Sequence, residues 1–148
     1  DAYFHELVVE AVVSAQLGFR AKTTNHHQVS ISIDFVGSSC GQQASRLAQE
    51  VAKSFARTTF QKSSEVEKAL KFVDVGGSKW TRIGNELGLT PRVVKGRLDS
   101  IVDRRNMIAH EADIDPTYRR PRPLGVAETE TAVDFIRRLV WAVDNSCW

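Results

Sequence analysis

The sequence predicts an all-α protein, a bundle of five or six helices. Apolar residues recur at intervals of three and four over most of the chain, as in amphipathic helices that bury one face. Capping residues, glycines and prolines separate these segments at short intervals. One segment, near residues 28–36, instead alternates apolar and polar residues with the period of a strand. A single strand cannot form a sheet, so this segment either pairs with an unrecognised partner or is an extended connection.

The first half of the chain contains three predicted helices. The first carries six apolar residues at helical spacing and ends at Gly18, and the second covers about 42–57. The third begins at Ser64, which has the spacing of a capping box with Glu67, and Gly76 interrupts it. The apolar residues expected to face the core are Phe4, Leu7, Val8, Ala11, Val12, Ala15, Ala44, Leu47, Ala48, Val51, Phe55, Val66, Leu70 and Val73.

The second half predicts three further helices with sharper boundaries. A serine cap and a terminal glycine delimit a short helix over 78–88. Thr90-Pro91 then places a capping residue before a proline at the first helical position, which predicts a helix over about 91–110. A polar loop with several prolines follows over 113–125, and a final helix should cover about 128–145. The expected core residues are Trp80, Ile83, Leu87, Val94, Leu98, Val133, Ile136, Val140 and Val143.

Composition excludes several classes of protein. A chain of 148 residues with 42% hydrophobic and 26% charged residues is typical of one globular domain, here over residues 1–148. No apolar run approaches the ~20 residues needed to cross a bilayer. Cys40 and Cys147 lack the spacing of a metal site, so we expect no metal, and unpaired thiols favour the cytoplasm. Because the chain starts at Asp1, we expect a piece of a longer protein.

Positive charge is concentrated in one part of the chain. The net charge is +2, but residues 91–122 carry +3 and the remainder −1. Such a bias can attract phosphates, and it also fits an ordinary solvated face.

Arg105 occupies a position where the helical pattern calls for an apolar residue. The helix that starts at Pro91 has an apolar stripe formed by Val94, Leu98, Ile101, Val102, Ile108 and Ala109. At about 100° per residue, Arg105 falls about 20° from Val94, in the middle of this stripe. A guanidinium keeps its charge and is almost never fully buried unless it is paired. Either the stripe ends before Arg105, or the arginine lines a cleft that needs its charge.

Polar residues flank the stripe at the same end of the helix. Asp103, Asn106 and His110 lie within about 60° of one another around the axis. With Arg105, this helix end offers the groups that cleave RNA without a metal: a base for the ribose 2′-hydroxyl proton and a cation for the charge that develops on the phosphate. The same residues also fit a solvated, salt-bridged helix end in which His110 complements the helix dipole.

The stretch LDSIVDRRNMIAHEAD over 98–113 resembles the motif helix of the HEPN superfamily, in particular its RiboL-PSP branch, which groups RNase L with anticodon-nuclease-type effectors. The family motif is an arginine, a polar residue, three further residues and a histidine, and Arg105 to His110 match each element. Asp103 stands where such proteins often carry an acidic side chain. The resemblance covers about residues 80–148, and the final helix is similar to the one that packs beside the motif.

This resemblance implies a HEPN-type bundle, part of a longer effector, that cleaves single-stranded RNA without metal or cofactor and leaves a 2′,3′-cyclic phosphate. It implies a homodimer through the Arg105/His110 helix, and a toxin or an anti-phage or stress effector with an antitoxin or sensor domain. The expected catalytic residues are Arg105, His110, Asn106 and Asp103. The expected contacts to RNA phosphates are Lys95, Arg104, Arg119, Arg120 and Arg122.

Two alternatives stay open. Residues 79–98 resemble a helix-turn-helix, in which the second helix would present Arg92, Lys95 and Arg97 to the major groove of DNA. A short helix, a glycine turn and a capped helix produce this pattern in other folds as well. The other alternative is a HEPN fold that serves only as a dimerisation scaffold, because a motif alone does not prove turnover.

Overall fold

The structure, a computed structural model, describes residues 1–30, 43–73, 76–111, 113–115 and 117–147. Over these residues the chain forms six α-helices and no strand, which confirms the predicted all-α fold. The helices are α1 (Ala2–Gln16), α2 (Gln43–Phe55), α3 (Ser63–Val73), α4 (Lys79–Leu87), α5 (Pro91–Glu111) and α6 (Val126–Cys147), and a 3-10 turn covers His26–Gln28. None of the helices in the described part of the chain is both long and apolar enough to cross a membrane.

The chain divides into two compact units, an N-terminal unit (Asp1–Gly77) and a C-terminal unit (Ser78–Trp148). The expectation of one domain over residues 1–148 stays a prediction. Of the segment near 28–36, Gln28 belongs to the 3-10 turn, and Val29 is extended at φ −84° and ψ 114°. The part over 31–36 lies outside the described residues.

In the N-terminal unit, α1 packs against both α2 and α3. The sequence pattern predicted the buried face of α1 correctly, because all six of its expected core residues are buried. In α2, Leu47, Val51 and Phe55 are buried, whereas Ala44 is exposed in the first turn. The ring of Phe55 lies edge-on to that of Phe72, with their centroids 5.2 Å apart. An aromatic pair therefore joins α2 to α3.

The start of α3 differs from the prediction. The helix begins at Ser63, so Ser64 lies inside the first turn and the capping box predicted for it is wrong. Instead, Glu65 Oε2 accepts hydrogen bonds from the backbone N–H of Lys62 at 3.4 Å and from Thr59 Oγ1 at 3.3 Å. Glu65 thus reaches back to an N–H that has no partner inside the helix.

In the C-terminal unit, α4 packs against both α5 and α6. The core residues of this unit are Trp80, Ile83 and Leu87 from α4, Val94 and Leu98 from α5, and Phe135, Leu139, Ala142 and Val143 from α6. In α6 the predicted stripe is only partly right, because Val133 is 52% exposed while Phe135 and Leu139 are buried. This helix is apolar on more than one side, so its sequence alone cannot select the side that α4 covers.

The burial of the apolar residues of α5 decreases along the helix. Val94 and Leu98 are buried, Ile101 and Val102 are half-buried, and Ile108 is 44% exposed. The apolar stripe therefore belongs to the core only in the first turns. In the last turns Ile108 and Ala109 are exposed, and this part of the helix carries the motif residues.

The connection between α4 and α5 depends on two glycines. Gly88 ends α4 in the left-handed region at φ 67° and ψ 30°, which glycine adopts without a steric penalty. Gly84 packs so closely on the turn that an added Cβ would lie 2.5 Å from the carbonyl oxygen of Leu89. Thr90 Oγ1 accepts the backbone N–H of Val93 at 3.4 Å, as predicted for the cap of α5. The start of α5 is therefore fixed closely against α4.

We predict that Gly84→Ala destabilises the C-terminal unit by about 1–3 kcal/mol, because the backbone of the turn must move to admit the methyl group. Gly96→Ala is the matched control, since a Cβ at this exposed helical position meets nothing within 4 Å. The control should be stabilising by about 0.5–1 kcal/mol, because alanine favours the helix. Urea denaturation followed by circular dichroism measures both. Equal effects of the two substitutions on the free energy of unfolding would contradict the close approach of Gly84 to Leu89.

Candidate functional site

All four residues predicted to be catalytic lie in the second half of α5. Asp103, Arg105 and His110 are exposed, and Asn106 is half-buried. Because α5 is one uninterrupted helix through Glu111, these side chains share a rigid support. The site is therefore open to a macromolecular ligand and presented on regular structure.

The guanidinium of Arg105 is held by a neighbour on the same helix. Arg105 Nη1 donates a hydrogen bond to Asn106 Oδ1 at 3.0 Å. Asn106 and His110 are one helical turn apart and share one flank of α5. The bond therefore draws the positive charge away from the apolar stripe, toward the flank on which His110 lies.

The structure does not bring Arg105 and His110 into direct contact. Five residues along a helix correspond to about 140° around the axis and about 7.5 Å along it. The side chain of His110 has no hydrogen bond or ion pair within the described part of the chain, so its imidazole is available to a ligand. One copy of the helix thus presents the backbone positions of the cation and the imidazole on sides about 140° apart.

Comparisons of the chain with protein-family models, curated proteins and solved structures find no match. The resemblance to the HEPN superfamily stays a prediction.

An open groove of about 480 Å³ runs beside Arg105, between the second half of α5 and the first half of α6. Its apolar lining includes Ile108, Leu124 and Val133, which are 44%, 61% and 52% exposed. Arg105 also borders this groove, with Arg104 and Glu128. Large apolar side chains that cluster at a surface mark an interaction site more often than isolated ones do.

Arg104, predicted to contact RNA, is engaged within the fold. Its Nη2 atom lies 2.7 Å from Asp113 Oδ2 and also donates a hydrogen bond to the carbonyl oxygen of Pro123 at 3.4 Å. Asp113 is only 6% exposed, so the carboxylate is a buried partner. The ion pair fastens the chain after α5 to the side of that helix. Arg104 thus serves to position the loop.

After α5, the described residues 113–115 and 117–122 form a short hairpin turn, which we call the 113–122 turn. Ile114 and Pro121 form an antiparallel bridge. Hydrogen bonds on either side of it run from Asp115 N–H to Arg120 O and from Arg122 N–H to Asp113 O, each 2.8 Å long. Within the turn, Asp115 Oδ1 accepts the backbone N–H groups of Thr117 at 2.8 Å and Tyr118 at 3.1 Å. This aspartate caps the turn, as aspartates in such positions commonly do.

The remaining basic candidates fall into two groups. Lys95 Nζ lies 5.2 Å from the centroid of the Trp80 ring, and Arg122 Nε lies 3.5 Å from Asp115 Oδ2, so both are engaged in the fold. Arg119 and Arg120 are exposed, and their side chains have no hydrogen bond or ion pair with the residues that the structure describes. These two arginines are the best placed to meet a ligand.

Two residues at this site carried no functional prediction. Asp113 is a structural partner of Arg104, and Tyr118 projects from the turn with 76% of its surface exposed. The signal in the sequence for Tyr118 is an aromatic residue directly before two arginines. Over the described residues, no cluster of three or more histidine, cysteine, aspartate or glutamate side chains could hold a metal ion.

The 113–122 turn should lose its order in acid. The backbone N–H groups of Tyr118 and Thr117 stabilise the Asp115 carboxylate and lower its pKa below the ordinary 3.8. Because the folded pKa is depressed, this contribution is fully present above the ordinary value and is lost as the pH falls through the lower, folded value. Amide chemical shifts of Thr117 and Tyr118, followed by NMR down the pH scale, should report this loss.

The control for this prediction is Asp115→Asn, which keeps an acceptor oxygen but does not titrate. In that variant the two amide signals should not respond to pH over the same interval. An unchanged acid transition in Asp115→Asn would assign the titration to another group.

Proposed function

We propose that this chain is a metal-independent endoribonuclease that cleaves single-stranded RNA, with Arg105 and His110 as its catalytic residues. The observation that carries the proposal is the hydrogen bond from Arg105 to Asn106, which holds an exposed guanidinium toward the flank that carries His110. The resemblance of residues 98–113 to the HEPN motif helix points to the same pair. Both residues stand on one rigid helix, so their spacing is fixed before substrate binds.

The reaction requires a proton acceptor and a fixed positive charge. The ribose 2′-oxygen attacks the adjacent phosphorus, a bond from phosphorus to the 2′-oxygen forms, and the bond to the 5′-oxygen breaks. His110 takes the 2′-hydroxyl proton, and the departing 5′-oxygen takes up a proton in turn. Arg105 stabilises the negative charge that accumulates on the phosphate oxygens, and Asn106 holds the guanidinium. The products are a 2′,3′-cyclic phosphate and a 5′-hydroxyl.

We propose that two copies of the chain complete the site. The groove beside Arg105 exposes Ile108, Leu124 and Val133, and a second copy related by a two-fold axis would cover this apolar surface. His110 lies on another side of α5 and does not line this groove, so the proposed dimer must also bring the imidazole of a second copy around to Arg105. One histidine could then accept the 2′-hydroxyl proton while the other, protonated, supplies the proton to the 5′-oxygen. The role of toxin or of anti-phage or stress effector, with an antitoxin or sensor domain and a place in the cytoplasm, rests on the resemblance and on composition alone.

We predict that the purified protein cleaves a defined single-stranded RNA in the presence of EDTA and leaves cyclic phosphate ends. His110→Ala should lower the cleavage rate by about 10²–10⁴-fold, the usual contribution of a general base. Arg105→Ala should lower it by about 10²–10³-fold, the effect of removing one group that stabilises the transition state. His27→Ala and Arg137→Ala, which remove exposed residues of the same types elsewhere, are the matched controls and should cleave normally.

Three outcomes would contradict all or part of this proposal. Undiminished cleavage by His110→Ala would remove that imidazole from the mechanism. A wild-type protein that sediments as a monomer at concentrations where it cleaves at its full rate would exclude the shared cleft, while leaving a single-copy site open. A folded dimer without activity on any RNA would instead favour the dimerisation scaffold.

Binding to duplex DNA is the second candidate function. It is favoured by the turn of three residues between α4 and α5, by the left-handed conformation of Gly88 and by the exposed Arg92 near the start of α5. Against it, Lys95 lies over the Trp80 ring and Arg97 lies 5.3 Å from the centroid of the Phe135 ring. Two of the three expected DNA contacts therefore also pack on the surface of their own unit.

Comparing the two nucleic acids separates these functions. We predict that His110→Ala protein binds a single-stranded oligoribonucleotide more tightly than duplex DNA of the same length at each salt concentration. Arg92→Ala should leave the affinity for RNA within about twofold, because this residue lies outside the proposed site, and Arg137→Ala controls for the loss of one charge. Tighter binding to the duplex, weakened by Arg92→Ala, would favour the helix-turn-helix.

A further inference from the structure

The 113–122 turn is fastened directly to the helix that carries the candidate catalytic residues. Arg104 on α5 pairs with the buried Asp113 at 2.7 Å, and the backbone N–H of Asp113 donates to the carbonyl oxygen of Met107 at 3.0 Å. Arg104 also holds the carbonyl oxygen of Pro123 on the far side of the turn. Both ends of the turn are thus tied to α5 within one or two helical turns of Arg105 and His110.

The tip of the turn is held in a defined shape by its own backbone. Asp115 accepts two N–H groups through its side chain, and its carbonyl oxygen accepts the N–H of Arg119 at 2.8 Å. Arg119 adopts φ 51°, a left-handed conformation that costs a residue with a side chain about 1 kcal/mol or more. A flexible loop would relax from such a conformation, so the surrounding hydrogen bonds must hold it.

This turn presents an aromatic ring and two cations to solvent. Tyr118 is 76% exposed, and the exposed side chains of Arg119 and Arg120 follow it directly. Neither arginine has a hydrogen bond or ion pair with the part of the chain that the structure describes. Proteins that bind single-stranded nucleic acid combine these two features, because bases stack on aromatic rings and cations contact the phosphates.

We infer that the 113–122 turn binds a nucleotide of a single-stranded RNA beside the linkage that is cleaved, with the Tyr118 ring stacked on its base and Arg119 and Arg120 at the flanking phosphates. This inference rests on the proposed ribonuclease function. Arg104 and Asp113 are positioning residues, since they set the place of the turn relative to Arg105. Stacking accepts any base, so the turn contributes affinity and register rather than a strict sequence preference.

The stacking role of the Tyr118 ring is tested by measuring RNA binding, separately from RNA cleavage. In full-length His110→Ala protein, which keeps the RNA intact, Tyr118→Ala should weaken binding to a fluorescent single-stranded oligoribonucleotide by about tenfold. Tyr118→Phe should bind normally, because the ring and not the hydroxyl group is required. On an oligonucleotide of the same length without bases, Tyr118→Ala should have no effect.

The phosphate contacts of Arg119 and Arg120 are tested through the salt dependence of binding to the same oligoribonucleotide. Arg119→Gly keeps the left-handed backbone, which glycine adopts freely, and removes the charge. Arg119→Gly and Arg120→Ala should each reduce the slope of log affinity against log salt by about one, the loss of a single phosphate contact. Arg137→Ala, on α6, is the control of equal charge and should leave the slope unchanged.

Failure of this inference can be told apart from failure of the nuclease. Unchanged affinity in Tyr118→Ala, or equal loss in Tyr118→Ala and Tyr118→Phe, would overturn the stacking role whatever the cleavage assay gives. Unchanged salt slopes in both arginine variants would overturn the phosphate contacts. If binding changes as expected while wild-type protein cleaves no RNA, the turn stands as an RNA contact and the catalytic proposal alone is lost.

Discussion

The ion pair between Arg104 and the buried Asp113 is the interaction on which the arrangement of the candidate site depends. After α5 the chain lies against the side of that helix. There the Asp113 carboxylate is 2.7 Å from the guanidinium of Arg104. Removing Arg104 leaves the buried carboxylate of Asp113 without its counter-charge, which costs more than the pair itself gains. One carboxylate oxygen, Oδ1, has no hydrogen-bond partner in the described part of the chain, so the attachment relies on the other oxygen. The position of the turn and the order of the helix end are therefore coupled.

α5 combines two tasks that usually fall to different elements. Its first turns bury Val94 and Leu98 against α4, and its last turns carry exposed polar residues beside an apolar groove. Because a helix transmits position rigidly along its axis, packing in the first turns fixes where the last turns lie. Gly84 belongs to this arrangement, since its close approach to Leu89 sets how α4 meets the start of α5.

Much of the fold was predictable from local patterns. The six buried residues of α1 follow one period on one face, and the boundary signals at Ser78, Gly88 and Thr90 act over a few residues. The buried side of α6 was not predictable, because that helix is apolar on several sides and only its packing against α4 selects Phe135 and Leu139. The start of α3 was placed one residue too late, because Ser63 and Ser64 stand next to each other and the side chain that reaches back to the free N–H is that of Glu65.

The candidate site, like the fold, was predictable from the sequence only in part. That Arg105, Asn106 and His110 lie on one helix could be predicted, because the sequence records their spacing directly. The part played by Arg104 could not, because its partner Asp113 depends on how the chain turns after α5. Arg122 likewise differs from Arg119 and Arg120 because it pairs with Asp115 across the turn. The sequence does not record that pairing. Charge alone cannot distinguish an arginine that binds a ligand from one that holds the fold.

The left-handed conformation of Arg119 has a consequence for how the 113–122 turn comes apart. An unfavourable backbone angle persists only while its neighbours over-determine it, so each hydrogen bond to Asp115 supports all the others. Once one of them opens, Arg119 can relax and the rest lose their geometry together. The turn should therefore behave as a small cooperative unit, either fully formed or fully released, rather than as a loop that loosens by degrees.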